Sequence, residues 1–144
     1  MVCSILPRIL CVDDDAESCR TVGQSLNSYG LQYDLMCATD VFAAFDLISS
    51  QTFDLYILEY CLPRITGAQL CHRIRAADKM TPIIMYSALF REIDRETAIS
   101  SGANSYLIKP DELDKLPTTI SRLLSPAPSI SRHHRPGRHA AGII

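Results

Sequence analysis

Short apolar runs alternate along this chain with segments of helical periodicity, and this alternation is the feature that most restricts its fold. The runs lie at residues 8–12, 33–37, 55–58, 83–86 and 105–108. All but the second, which contains Asp34, are nearly continuously apolar, as parallel strands covered on both faces are. Between the runs, apolar residues recur three and four positions apart, which indicates helices packed against such a sheet.

The predicted architecture is therefore an α/β fold, a doubly wound five-stranded parallel sheet with helices on both faces. Right-handed crossovers leave few topologies, and the common order for five parallel strands is 2-1-3-4-5. The strand that contains Asp34 is predicted to lie at the edge. Because the strand order reverses between strands 1 and 3, a site is expected at the carboxyl ends of those strands.

Length and charge exclude several functional classes. The chain has 144 residues, which suits one domain, and a formal net charge of −2, which argues against a nucleic-acid binder. No apolar run approaches the roughly 20 residues of a membrane-spanning helix, and the first residues lack the basic leader of a secretory signal. We expect a cytoplasmic protein that binds neither nucleic acid nor membrane.

The chain is expected to divide into a domain at residues 1–125 and a flexible basic tail at residues 126–144. The tail carries three arginines, whereas all 16 acidic residues precede it. Its sequence is rich in Pro, Ser, Gly and His and has no apolar period. Such a segment cannot bury enough surface to offset the entropy of ordering it.

The cysteines form no recognisable disulfide framework. They stand at positions 3, 11, 19, 37, 61 and 71, with no CxxC pair among them. Most lie inside apolar patterns, so we expect small, reduced core residues. Cys61 lies in a loop beside the expected site, where a thiol with no role of its own is the preferred interpretation.

Charged and hydroxyl side chains collect where the predicted strands end. They are Asp13, Asp14, Glu59, Ser87 and Lys109. Clustered carboxylates persist when a cation compensates their repulsion, and hard oxygen ligands suit Mg²⁺. A lysine and a hydroxyl can meet phosphoryl oxygens, so the set is suited to phosphoryl transfer. For Asp15 alone, capping of the next helix is the preferred interpretation.

Four stretches of the chain resemble the receiver domain of response regulators, the proteins of two-component (histidine–aspartate phosphorelay) signalling. They are ILCVDDD at 9–15, DLYILEYCLPRITG at 54–67, PIIMYSA at 82–88 and GANSYLIKP at 102–110. The resemblance covers about residues 8–124, in matching order and spacing. It implies a flavodoxin-like fold, a signalling protein rather than an enzyme, and a histidine kinase or an effector protein as partner.

The resemblance implies a metal site at the first two acids. Asp13 and Asp14 match the acidic pair that holds Mg²⁺, with Asp14 preferred as the direct ligand. The backbone carbonyl of Cys61 matches a further ligand of the same ion.

It also implies a switching apparatus. Ser87 and Lys109 match the hydroxyl and the lysine that contact the phosphoryl group. Tyr106 matches the aromatic residue that changes rotamer together with Ser87 when the domain switches. Lys109–Pro110 matches a peptide bond that is usually cis. A cis bond is plausible there because the free energy of the cis form is low only for a bond that precedes proline.

Position 59 departs from the family pattern. The phosphoacceptor there is aspartate, whereas this chain has Glu59, with Pro63 and Gly67 confirming the register. The extra methylene moves the carboxylate by roughly 1.3–1.5 Å, and an error near 1 Å costs on the order of a hundredfold in a positioned reaction. Glu59 would also reach toward Lys109 or Ser87. We expect a poor or null phosphoacceptor, with Mg²⁺ binding left open because the ion demands near-ideal octahedral geometry.

Two interpretations of Glu59 stay open: its charge imitates the phosphorylated state, or it only preserves an acidic pocket. The function expected first is a stand-alone receiver-like interaction module that docks through helix 4, strand 5 and helix 5. Pro117 is compatible with that face if the last helix begins near Asp114. The alternative is a working Mg²⁺-dependent receiver that takes phosphoryl from a histidine kinase. A metal-dependent hydrolase ranks below both, since no histidine base lies near the expected site and the Cys61 thiol is interpreted as having no role.

Overall fold

The computed structural model of the protein describes residues 5–125 and contains one parallel sheet covered by helices. The strands are β1 (Arg8–Val12), β2 (Asp34–Ala38), β3 (Leu55–Leu58), β4 (Ile83–Ser87) and β5 (Ser105–Ile108). The helices are α1 (Ala16–Ser28), α2 (Val41–Ser50), α3 (Gly67–Ala77), α4 (Glu92–Ser100) and α5 (Leu116–Leu124). The tail predicted at 126–144 lies outside the described residues.

The sheet has the order β2-β1-β3-β4-β5, with every pair of neighbours parallel. The predicted topology is therefore confirmed, and β2, the strand that contains Asp34, lies at one edge. Three strand bounds differ from the predicted ones by a single residue, since β2 begins at Asp34 and ends at Ala38, and β4 ends at Ser87. Such shifts are expected because apolar runs mark the buried centre of a strand better than its ends.

The core consists of two layers, one on each face of the sheet, because successive side chains of a strand point to opposite faces. On one face, Ile9 and Ile57 pack with residues of α1 and α5 such as Val22 and Ile120. On the other face, Leu10 and Leu58 pack with residues of α2, α3 and α4 such as Ala44 and Leu70. With helices on both faces, the strands are buried along nearly their whole length, which is why their sequences are continuously apolar.

Most of the helices begin at a local signal in the sequence. Asp15 accepts from the Glu17 N–H at 3.0 Å and caps α1, and Thr66 begins a capping box with Gln69 at the start of α3. Pro117 lies in the first turn of α5, directly after a 3₁₀ turn at Leu113–Lys115. A proline is tolerated there because the first amides of a helix have no partner within it. None of the helices described has both the length and the apolar character needed to cross a bilayer.

The expectation that the cysteines are reduced is wrong for one pair, because Cys19 and Cys37 form a disulfide. Their Cα atoms lie 6.4 Å apart, within the range that a disulfide spans. The cross-link joins α1 to β2, so sequence spacing gave no sign of it. Cys11, Cys61 and Cys71 are free, as expected, and Cys61 is exposed.

Candidate functional site

Backbone hydrogen bonds bring the predicted site residues to one edge of the sheet. Glu59 N–H donates to the Val12 carbonyl at 2.9 Å, and Lys109 N–H donates to the Ser87 carbonyl at 2.8 Å. The Asp13 N–H donates in the same way to the last residue of β2, at 3.0 Å. The parallel pairing thus continues just past the strands, and the carboxyl ends of β1, β3, β4 and β5 converge as predicted.

Lys109 is the cation that holds the site together. Its Nζ lies 2.5 Å from Asp13 Oδ2 and 2.7 Å from Glu59 Oε2, and 5.1 Å from the centre of the Tyr86 ring. Both carboxylates are buried, with 4% of Asp13 and 9% of Glu59 exposed. Burial by itself lowers the pKa of Lys109, but the bonds to the two carboxylates outweigh it, and the pKa stands above its ordinary value. The ammonium therefore stays protonated and compensates two negative charges.

The second oxygen of Glu59 is also occupied. Glu59 Oε1 accepts from the Cys61 N–H at 3.0 Å, so both carboxylate oxygens of the acceptor position have partners. The adjoining loop passes closely over the same residue, because a Cβ atom at Gly67 would lie 2.1 Å from the Glu59 carbonyl oxygen. Glycine at the start of α3 is what allows this approach.

Ser87 and Tyr106 both form hydrogen bonds with the loop that follows β4. Ser87 Oγ accepts from the Leu89 N–H at 3.3 Å, and Tyr106 OH donates to the Leu89 carbonyl at 2.8 Å. The Tyr106 side chain is turned inward and is 3% exposed, and this burial raises its pKa to about 12. Among the described residues, no hydrogen bond joins Ser87 to Glu59.

The donor types at the site suit Mg²⁺, and in this structure most of the carboxylate oxygens already hold other partners. Asp13 Oδ1 accepts from the Asp15 N–H at 2.9 Å, and Asp13 Oδ2 is bonded to Lys109. Asp14 is exposed and is the acid left for an ion. Within residues 5–125 no three His, Cys, Asp or Glu side chains are placed to hold a metal together. The ammonium of Lys109 lies between the Asp13 and Glu59 carboxylates and supplies the positive charge there.

Two features beside the site have no counterpart in the sequence predictions. Asp94 on α4 is buried and accepts two hydrogen bonds from the Arg91 guanidinium, at 2.9 and 3.0 Å. An acid in the first turn of a helix is a recognisable signal, although its burial is not. The Cys61 N–H, which binds Glu59, carries no sequence signal because a backbone amide is present at nearly every position.

The comparisons with known proteins agree with this geometry. Residues 9–121 match the response regulator receiver domain family. The response regulator MprA of Mycolicibacterium vanbaalenii is 33% identical over 117 residues, which cover 81% of this chain and 50% of that protein. The chain thus spans about half the length of the curated relatives it matches.

Solved structures lead to the same family. A two-component response regulator from Clostridium difficile superposes with a TM-score of 0.74 at 29% identity, covering 82% of this chain and 95% of that one. A CheY-like receiver domain protein from Methanospirillum hungatei gives a TM-score of 0.75 at 25% identity, covering 83% and 94%. With the topology, the site at the strand ends and the family match over residues 9–121 in agreement, this chain belongs to the response regulator receiver domain family.

Proposed function

We propose that this protein is a receiver module that acts by binding a protein partner, a histidine kinase or an effector, with little or no phosphorylation at Glu59. The observation that carries the proposal is the state of the Glu59 carboxylate. It is buried, one oxygen accepts from the Cys61 N–H, and the other is bonded to Lys109. Each oxygen of this carboxylate already holds a donor. The extra methylene also displaces the carboxylate from the place that an aspartate would give it, so it is poorly positioned to attack a phosphoryl group.

The position of Tyr106 supports a domain held in one state. Its inward side chain and its bond to the Leu89 carbonyl restrain the loop between β4 and α4. In the same structure, Lys109 contacts a carboxylate at the acceptor position, as it would contact a phosphoryl oxygen. We propose that Glu59 imitates part of the phosphorylated state, through Lys109 and without Ser87.

The proposed partner surface is formed by α4, β5 and α5. Apolar side chains are exposed on and next to α4, namely Phe90, Ile93 and Ile99. A cluster of exposed apolar groups on one element is typical of an interaction surface. We propose that the protein carries out this role in the cytoplasm, as response regulators do.

Phosphorylation of Glu59 is tested by incubating the wild-type protein with Mg²⁺ and acetyl phosphate and weighing it intact. We expect no gain of a phosphoryl group, because the longer side chain misplaces the carboxylate for in-line attack and both of its oxygens hold donors in the folded protein. Glu59→Asp shortens the side chain and frees the pocket, so it should gain one phosphoryl group under the same conditions. Labelling of the wild-type protein that disappears in Glu59→Gln would contradict the proposal.

Imitation of the phosphorylated state needs a separate test, because an inert acidic pocket would also resist labelling. We expect Glu59→Gln to shift the amide NMR signals of Leu89, Tyr106 and α4, since neutralising the carboxylate weakens its bond to Lys109. Shifts confined to the direct neighbours of position 59 would instead identify an inert pocket.

The alternative function, a Mg²⁺-dependent phosphoacceptor, is favoured by one observation. Ser87 ends β4, and Asp13 and Lys109 directly follow β1 and β5. Asp14 is exposed and available to an ion. For this function Lys109 would have to release Asp13 when Mg²⁺ binds. The labelling experiment above decides between the two functions.

A further inference from the structure

The disulfide between Cys19 and Cys37 joins two elements that flank the acidic end of β1. Cys19 is the fourth residue of α1 and is buried, whereas Cys37 is the next-to-last residue of β2 and is exposed. The backbone positions of both residues are set by regular structure rather than by a mobile loop. Cys37 pairs in register with Cys11 of β1, and Cys11 packs in the core layer that contains α1. Because residues in register share a face of the sheet, Cys37 lies on the face that α1 covers.

The cross-link lies next to the site residue Asp13. Ala38, which follows Cys37, accepts the hydrogen bond from the Asp13 N–H. Residues 13–15 form the connection from β1 to α1, and the cross-link ties the first part of α1 to the end of β2. Closing the disulfide therefore restrains both neighbours of the segment that carries the acids.

We propose that Cys19 and Cys37 are a reversible dithiol–disulfide couple, opened and closed by exchange with small thiols and disulfides, that clamps the start of α1 to the end of β2 beside Asp13. The exposure of Cys37 gives such reagents access to one sulfur, while Cys19 is the buried resolving partner. The reversibility follows in part from the proposed cytoplasmic role, since disulfides of reducing compartments are usually transient or redox-sensing.

Thiol–disulfide exchange with a small disulfide closes the Cys19–Cys37 bond in two steps. The Cys37 thiolate attacks one sulfur of a small disulfide such as oxidised glutathione, whose S–S bond breaks and releases one thiolate. The Cys19 thiolate then attacks the Cys37 sulfur of the mixed disulfide and releases the second thiolate. Two electrons pass from the protein to the small disulfide, and the two thiol protons end on the released thiolates. Reduced glutathione reverses both steps.

In the experiment, the folded 144-residue chain is equilibrated in buffers of varied reduced-to-oxidised glutathione ratio, its free thiols are trapped by alkylation, and its mass is measured. We expect a species lacking two alkyl groups, about 2 Da lighter than the dithiol before trapping, whose amount follows the ratio in both directions. Cys37→Ser should abolish it. Cys61→Ser removes the exposed free cysteine and is the matched control, which should leave it unchanged.

Peptide mapping identifies the bond. Tryptic cleavage alone leaves Cys11 with Cys19 and Cys37 with Cys61, whereas cleavage at aspartate separates both pairs. We expect a linked peptide that contains Cys19 and Cys37. A bond from Cys37 to Cys11 or to Cys61, no bond at any ratio, or a bond that reduced glutathione does not open in the folded protein would each overturn the proposal.

Two further measurements test the clamp. The oxidised form should melt roughly 5–10 °C above the reduced form, and the amides of Asp13 and the first turn of α1 should exchange with solvent more slowly in it. Equal exchange in both forms would show that the couple does not restrain the site. These measurements need neither a phosphodonor nor a partner, so their failure is distinct from failure of the proposed function.

Discussion

At the scale of single residues, the site is governed by the charge balance around Lys109. One ammonium, whose side chain is 16% exposed, faces two buried carboxylates. Two negative charges in such surroundings repel each other strongly, so the site depends on the cation between them. The extra methylene of Glu59 contributes by bringing its carboxylate within 2.7 Å of that cation.

We expect Lys109→Met to destabilise the protein by about 3 kcal/mol, because removing one partner leaves buried charges uncompensated. The measurement is chemical denaturation at neutral pH. Lys115→Met is the matched control, since Lys115 forms an exposed pair with Glu112, and its loss should cost under about 1 kcal/mol. Adding Glu59→Gln to Lys109→Met should recover part of the loss. If both lysine variants lose equally little, the charge balance does not stabilise the fold.

At the scale of elements, one side chain connects α3 to the neighbouring part of the sheet. The Arg75 guanidinium donates to the carbonyls of Gly102 at 3.0 Å and Thr81 at 2.7 Å, and to Asn104 Oδ1 at 3.0 Å. Asn104 Oδ1 also accepts from the Ile83 N–H at the start of β4. These bonds join the end of α3 to the segments that enter β4 and β5, the strands that carry Ser87 and Lys109.

Arg75→Ala should therefore lower the free energy of unfolding by about 2 kcal/mol, because it leaves several carbonyl acceptors without a donor. Arg75→Lys should recover less than half, since an ammonium cannot reproduce the planar fork of the guanidinium. Urea denaturation of the three proteins measures the difference. Arg73→Ala on the same helix is the control, as Arg73 is exposed. Full recovery in Arg75→Lys would show that charge alone matters there.

At the scale of the whole molecule, buried titrating groups determine how stability depends on alkaline pH. Burial raises the pKa of Cys11 from 9.0 to about 12 and that of Tyr106 from 10.0 to about 12. The pKa of Lys109 is also raised, through its two carboxylate partners, against the effect of burial. In all three groups the folded state holds its proton more tightly than the unfolded state does.

A raised folded pKa contributes stability that is complete below the unfolded pKa and is lost as the pH rises through the folded one. We expect these contributions to be unchanged from pH 7 to about 9, and the free energy of unfolding to fall steadily between pH 9 and about 12. Denaturation curves across this range measure the effect. Tyr106→Phe should make the fall shallower above pH 10. A free energy of unfolding that stays constant to pH 11 would contradict the prediction.

The amino-acid sequence by itself determined the fold class, the strand order, the edge position of β2 and the strand ends at which the acids and Lys109 meet. These follow from periodicity, which reports burial directly, and from the few topologies open to a parallel sheet. It also indicated that Pro117 lies near the start of the last helix, where the structure has it. Each of these signals is local or repeats regularly along the chain. The cis bond at Lys109–Pro110, which the structure contains, was instead implied by the family resemblance.

Only the tertiary structure decided several contacts in and around the site of this receiver domain. The bond from Cys61 N–H to Glu59, the disulfide between Cys19 and Cys37, and the positive φ of 77° at Arg64 leave no periodic trace in the sequence. Their formation depends on which rotamers and backbone angles the packed elements permit. Lys109 and Asp13, which meet at 2.5 Å, are 96 residues apart in sequence, so that contact exists only once the sheet has assembled.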